Sequence, residues 1–192
     1  MTTANKITIL RILLVPFFVY ELLGYRNAGL DSQRWLALST FALAALLDGV
    51  DGFVARRFHQ KSELGAVLDP AADKLLLVTG VVLLSLDGIH LNPLPLWLVV
   101  TILSRDVLLS LGALVVYYTV GKVTVRPRWT GKVATVLQMA VVLWALFRLP
   151  ALSQYWIAFA AAMCTGMSGL QYVFDGMRQL SASPRSAATP QQ

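Results

Sequence analysis

Cysteine, histidine and charge are all scarce in this 192-residue chain: one cysteine, two histidines, 14% charged residues and 57% hydrophobic ones. A soluble domain carries about 25% charged and about 45–50% apolar residues, so the composition argues for a membrane protein. The single cysteine, Cys164, excludes an internal disulfide and any paired-cysteine metal motif. It stands in an apolar stretch and is read as a small packing residue. His59 is expected in a loop and His90 at the opposite side, both as ordinary polar residues. The formal net charge is +6, yet no run of basic residues suggests a nucleic-acid patch. The surplus is read as loop charge that sets topology and faces anionic lipid heads. The first apolar segment lacks an A-x-A-like cleavage site and is expected to remain as a span.

What the chain has in quantity is long apolar segments. They cover about 6–24, 34–57, 66–86, 95–118, 131–149 and 152–177, each of the length a membrane helix needs. The expected fold is an all-α integral membrane protein with six transmembrane helices. Residues 1–178 form one membrane domain, and the small, polar, proline-containing tail 179–192 is expected to be disordered. With the N-terminus, the loops after the second and fourth segments and the C-terminus on one side, that side carries eleven lysines and arginines. The other carries three, Arg26, Arg34 and Arg148. Both termini are therefore expected on the cytoplasmic side. Trp35, Trp97, Trp129 and Trp156 lie near segment ends, where interfacial anchoring is the natural role. "HLNPLPLW" reads as a short turn on the outer side.

Against that background, four aspartates stand within 26 residues, "DGVDGFVARRFHQKSELGAVLDPAAD". Asp48 and Asp51 are three apart on one expected helix, and Asp69 and Asp73 four apart on the next. Each pair shares a helical face, and the polar turn between them lets the two faces converge near the cytoplasmic surface. Carboxylates in a bilayer are costly and usually functional. Three outcomes are open: pairing with Arg56, Arg57 or Lys74, protonation, or capture of a divalent cation. Gly52 and Ala55 lie on the carboxylate face. Glycine costs a helix about 1 kcal/mol relative to alanine, and close approach of a metal-bound ligand is the better reason for it. Oxygen-only ligands favour Mg²⁺ or Mn²⁺ over zinc. Such ions engage phosphates, two of them can clamp a diphosphate, and Arg56 could add a bidentate fork. The chemistry suggested is displacement at phosphorus on a lipidic substrate at the membrane surface.

Asp48-x2-Asp51-Gly52-x2-Ala55-Arg56-x8-Gly65-x3-Asp69-x3-Asp73 resembles the signature of the CDP-alcohol phosphotransferases at every fixed position. "NKITILRILLVPFFV" is similar to the first helix of that family, and the resemblance runs over about residues 4–177. "ILSRDVLL" (102–109) and "TGKVATVLQM" (130–139) resemble the branch of phosphatidylglycerophosphate synthases and eukaryotic-type cardiolipin synthases. The resemblance implies transfer of a phosphatidyl group from CDP-diacylglycerol to a glycerol-containing alcohol or lipid acceptor, with release of CMP. It implies Asp48, Asp51, Asp69 and Asp73 as ligands of two Mg²⁺ or Mn²⁺ ions, with Asp73 also the general base. It implies Gly52, Ala55, Arg56, Gly65 and Asn5 around the cytidine diphosphate, with Arg11 near the donor's head. It implies Arg105 and Lys132 for an acceptor phosphate, against an internal Arg105–Asp106 pair and a topology-setting lysine as the plainer roles. Where the synthase has Glu this chain has Asp106, and "SLGALVVYY" replaces a further "LR"; both departures lean toward the cardiolipin synthase side. A homodimer is also implied. A short chain without a targeting peptide suits a bacterial inner membrane, and the bias of basic residues turns the site toward the cytoplasm.

Other readings keep the aspartates but change the chemistry. The same reaction could use another alcohol, such as inositol phosphate. A membrane prenyltransferase would need two separated acidic clusters and more spans. A divalent-cation transporter would place its carboxylates near the bilayer midplane, whereas these flank a basic turn.

Overall fold

The computed structural model describes the backbone of residues 3–57, 63–86, 90–120 and 129–181, with side chains described for 7–49, 71–86, 90–116, 118–119 and 129–178. Six helices follow one another: α1 (Thr3–Ala28), α2 (Asp31–Arg57), α3 (Glu63–Ser85), α4 (Leu96–Val120), α5 (Trp129–Leu146) and α6 (Ala151–Ser181). They match the six apolar segments in order. Most of their ends differ because helical hydrogen bonding continues into polar residues that an apolar count leaves out. Thus α1 runs past the expected end at 24, through Arg26 to Ala28, and α2 begins at Asp31, whose carboxylate suits the positive end of a helix. Likewise α6 runs on through Ser181, past the expected domain boundary at 178; the rest of the expected tail lies outside the described residues. Among the described residues, four helices are long and apolar enough to cross a membrane: α1, α4, α5 and α6.

The core lies between the helices along narrow stripes. On α1 the buried positions are Thr8, Arg11, Phe18, Leu22 and Tyr25; on α2 they are Arg34, Ala37, Thr40, Phe41 and Ala44. Steps of three and four are the period of one helical face. Helix α3 touches both halves of the bundle: α1 and α2 on one side, α4 and α5 on the other. Its Leu76, Leu77, Val81 and Leu84 join Val141, Val142, Ala145 and Leu146 of α5 in one apolar cluster. Outside these stripes the surface is grease. Leu13, Tyr20, Leu46, Leu96, Leu152 and Leu170 are each more than 60% exposed. A protein dissolved in water does not present apolar surface on that scale, so the surroundings of these faces are lipid. Trp35, Trp97, Trp129 and Trp156 all face outward as well. Inside, Gln138 donates to Thr165 at 2.8 Å, and Thr165 donates to the Ala161 carbonyl at 2.6 Å, a polar tie between α5 and α6.

The end remote from the aspartates is stitched by side chains from all three of its connections. Helix α1 stops at Gly29, whose φ of 69° is the left-handed cap that glycine adopts without strain. Helix α5 stops at Arg148, left-handed at φ 55° although it carries a side chain. That side chain is well used. Its Nη2 donates to the His90 carbonyl at 3.0 Å, Nη1 lies 3.5 Å from Asp31, and the guanidinium sits 5.8 Å from the Tyr25 ring centre. Arg34 donates through Nε to Asp31 at 3.1 Å and through Nη1 to the Leu146 carbonyl at 3.1 Å. His90 thus packs against Tyr25 and Gly29, in keeping with an ordinary polar role.

Candidate active site

At the other end the same stripes run into charge. On α2 the buried positions Ala37, Phe41 and Ala44 are followed one turn later by Asp48, and then by Asp51. On α1 the matching stripe reaches Arg11, with Thr8 beyond it. This arginine is fully buried, and its Nη1 donates to Asp48 Oδ1. Sequence reasoning put Arg11 near a donor head group; the structure gives it a carboxylate partner across the α1–α2 hairpin. A buried guanidinium needs such a partner, because an isolated charge in a low dielectric is prohibitive. Asp48 itself keeps 39% of its side chain exposed.

Helix α3 brings the second pair. Its backbone is helical through Asp69 and Asp73, and that of α2 is helical through Asp48 and Asp51. The spacings of three and four therefore do put each pair on one face. Asp73 is partly buried, one turn before Leu76 and Leu77 of the core stripe. Beside it in sequence, Lys74 reaches across to α4, with Nζ 3.7 Å from Asp106 Oδ1. The side chains of Asp51, Asp69, Gly52, Ala55, Arg56, Gly65 and Asn5 lie outside the described residues. Their backbones belong to α1, α2 and α3. Among the described residues no three of His, Cys, Asp and Glu come together. The donor set at this end is carboxylate oxygen, with no thiol or imidazole on the described faces, which is the chemistry a hard divalent cation takes.

A third group joins α4, α5 and α6. Arg105 donates through Nη1 to Asp106 Oδ1 at 2.8 Å and through Nη2 to Ser168 Oγ at 3.4 Å. Its Nε is buried and has no hydrogen-bond partner among the described residues. The side chain lies against two glycines. A Cβ on Gly131 would come 3.5 Å from Nη2 and 3.4 Å from Ser168 Oγ, and one on Gly169 would come 3.4 Å from Arg105 Cγ. The internal Arg105–Asp106 pair entertained from sequence is therefore present. Lys132, the other expected acceptor ligand, is exposed, with Nζ 5.5 Å from the Trp129 ring centre. Within that turn it is Gly131 that faces Arg105. Nearby, Thr130 donates to Gln171 Oε1 at 2.8 Å and ties the start of α5 to α6.

Sequence reasoning passed over Ser168, Gly169 and Gly131, and it left Lys74 without a fixed partner. The signal was there in part. A serine followed by glycine in "TGMSGLQY" is an unusual polar position in an apolar helix, and Lys74 is a cation inside a span that needs an anion at its own depth.

Comparison with known proteins bears on this arrangement. Residues 1–167 match the family described as CDP-alcohol phosphatidyltransferase. A Mycobacterium tuberculosis protein carrying a phosphatidylglycerophosphate synthase name is 33% identical over 191 residues, covering 96% of this chain and 86% of that protein. An Escherichia coli protein named CDP-diacylglycerol–glycerol-3-phosphate 3-phosphatidyltransferase is 33% identical over 177 residues, covering 87% of this chain and 90% of that one. A Mycobacterium bovis protein carrying a cardiolipin synthase name is 36% identical over 135 residues, covering 70% of this chain and 59% of that one.

Proposed function

The chain belongs to the CDP-alcohol phosphatidyltransferase family, and we propose that it transfers a phosphatidyl group from CDP-diacylglycerol to glycerol 3-phosphate and releases CMP. The observation that carries the acceptor choice is coverage. The relatives matched over most of both chains have glycerol 3-phosphate or phosphatidylglycerophosphate in their names, whereas the cardiolipin synthase match spans 59% of its partner. That outweighs the lean of Asp106 and "SLGALVVYY" toward cardiolipin formation.

In this reading the acceptor hydroxyl oxygen bonds to the phosphorus bearing the diacylglycerol, and the phosphoanhydride bond to CMP breaks. Asp73 takes the hydroxyl proton. A positioned carboxylate base of this kind contributes about 10²–10⁴-fold. Asp48, Asp51, Asp69 and Asp73 would hold two Mg²⁺ or Mn²⁺ ions, which when bound neutralise the diphosphate and polarise its phosphorus. Arg11 fixes the Asp48 carboxylate from behind. Gly52, Ala55, Arg56, Gly65 and Asn5 receive the cytidine diphosphate, and Arg105, aided by Lys132, meets the acceptor phosphate. The charged ends of the bundle face the cytoplasm of a bacterial inner membrane, six helices span it, and two copies pair. The eleven-to-three bias of basic residues supports that orientation.

The test is product identification. Purified protein is given labelled CDP-diacylglycerol with glycerol 3-phosphate, phosphatidylglycerol, inositol phosphate or serine, each separately. CMP together with phosphatidylglycerophosphate is the expected outcome. CMP formed only with phosphatidylglycerol would assign the protein to cardiolipin synthesis instead.

A further inference from the structure

We propose that Asp106 is a positioning residue for the acceptor step, holding the Arg105 guanidinium in a glycine-walled slot while tying it to the helix that carries Asp73. The proposal rests on the functional reading above and adds to it a residue with a role of its own. Four observations lead there.

Asp106 Oδ1 is shared: Arg105 Nη1 donates to it at 2.8 Å, and Lys74 Nζ lies 3.7 Å away. Arg105 and Asp106 side chains are each only 16% exposed, so solvent screens this contact weakly. The side chain is enclosed further by Ser168 Oγ, which accepts from Nη2, by Gly131, where a Cβ would meet Nη2 at 3.5 Å, and by Gly169, where a Cβ would meet the stem at Cγ at 3.4 Å. Finally, Arg105 Nε remains buried without a hydrogen-bond partner among the described residues. The fork is thus held by its outer nitrogens and is not consumed by them.

The charge arithmetic makes the arrangement more than a brace. Two cations and one anion leave the group with a net single positive charge. That suits an anionic acceptor better than the neutral Arg–Asp pair alone would. Lys74 directly follows Asp73 on α3, so the Asp106 carboxylate also relates the height of the base to the height of the guanidinium. Without the carboxylate, two cations of like charge repel one another, and Arg105 loses the partner of its Nη1. Proximity catalysis is sensitive to misplacement of about 1 Å.

The test is Asp106→Asn, which keeps shape and removes charge, assayed on purified protein with CDP-diacylglycerol and glycerol 3-phosphate varied in turn. Loss of one charge-assisted hydrogen bond is worth about tenfold or more in binding. The expected result is a KM for glycerol 3-phosphate raised about tenfold, with the KM for CDP-diacylglycerol unchanged. Asp106→Glu restores the charge and is expected to recover most of that loss; should the asparagine variant fold poorly, Asp106→Ser takes its place. An unchanged acceptor KM in Asp106→Asn overturns the proposal, as does an equal rise in both KM values. With the serine variant in its place, an unchanged acceptor KM or an equal rise in both KM values likewise overturns the proposal. If the unaltered protein makes no product from glycerol 3-phosphate, the functional reading fails first, and that outcome is distinct from either variant result.

Discussion

The two ends of the bundle use the same kinds of residue for opposite purposes. At the end with Gly29, His90 and Arg148, the charges of Asp31, Arg34 and Arg148 are tied to one another, to backbone carbonyls and to a ring. Arg34 is bound to Asp31 and the Leu146 carbonyl, and Arg148 to Asp31 and the His90 carbonyl. At the other end the charges outnumber what a brace would need. Arg11 is buried against a partly exposed aspartate, and four aspartates gather within 26 residues. A closed set of pairs stabilises a fold, and an open set awaits ligands. The difference supports the proposed placing of function at the aspartate end and of cohesion at the other.

Each assignment can be broken separately. The largest effect is expected from metal removal: chelation should abolish CMP release, and Mg²⁺ or Mn²⁺ should restore it, while the thermal transition of the opposite end stays in place. Activity that survives exhaustive chelation would remove the ions from the account. Next comes Arg34→Ala, which leaves the buried Leu146 carbonyl without its donor. A loss of about 2 kcal/mol in stability is expected, measured by unfolding in detergent, with the KM for either substrate unchanged. A shift in KM there would show that the two ends are coupled. The smallest effect is a difference between two variants at one position. Arg148→Ala and Arg148→Gly both lose the guanidinium, but only alanine keeps the left-handed strain. The glycine variant should be the more stable by about 1 kcal/mol.

How much of this could be read beforehand depended on the physics of each feature. The six helices were legible because an apolar run of membrane length leaves few alternatives. Their ends were not, because Gly29 and Arg148 stop helices by backbone conformation rather than by polarity. The pairs at 48/51 and 69/73 were legible as faces, since spacing alone decides that on a helix. The partners of Arg11 and Lys74 were not, because Asp48 and Asp106 lie on other helices and only packing says which cation meets which carboxylate. The slot around Arg105 was the least visible. Gly131, Ser168 and Gly169 come from two helices and meet only when α5 and α6 pack with α4.

The most direct test of the central claim is the Asp73→Asn variant, purified in the same detergent as the unaltered protein and compared for CMP release with CDP-diacylglycerol, glycerol 3-phosphate and Mg²⁺. If the acid-rich end performs the transfer with Asp73 as its base, the variant unfolds at nearly the same temperature and its CMP release falls by about 10²–10⁴-fold. Full activity in a folded Asp73→Asn protein would contradict the account.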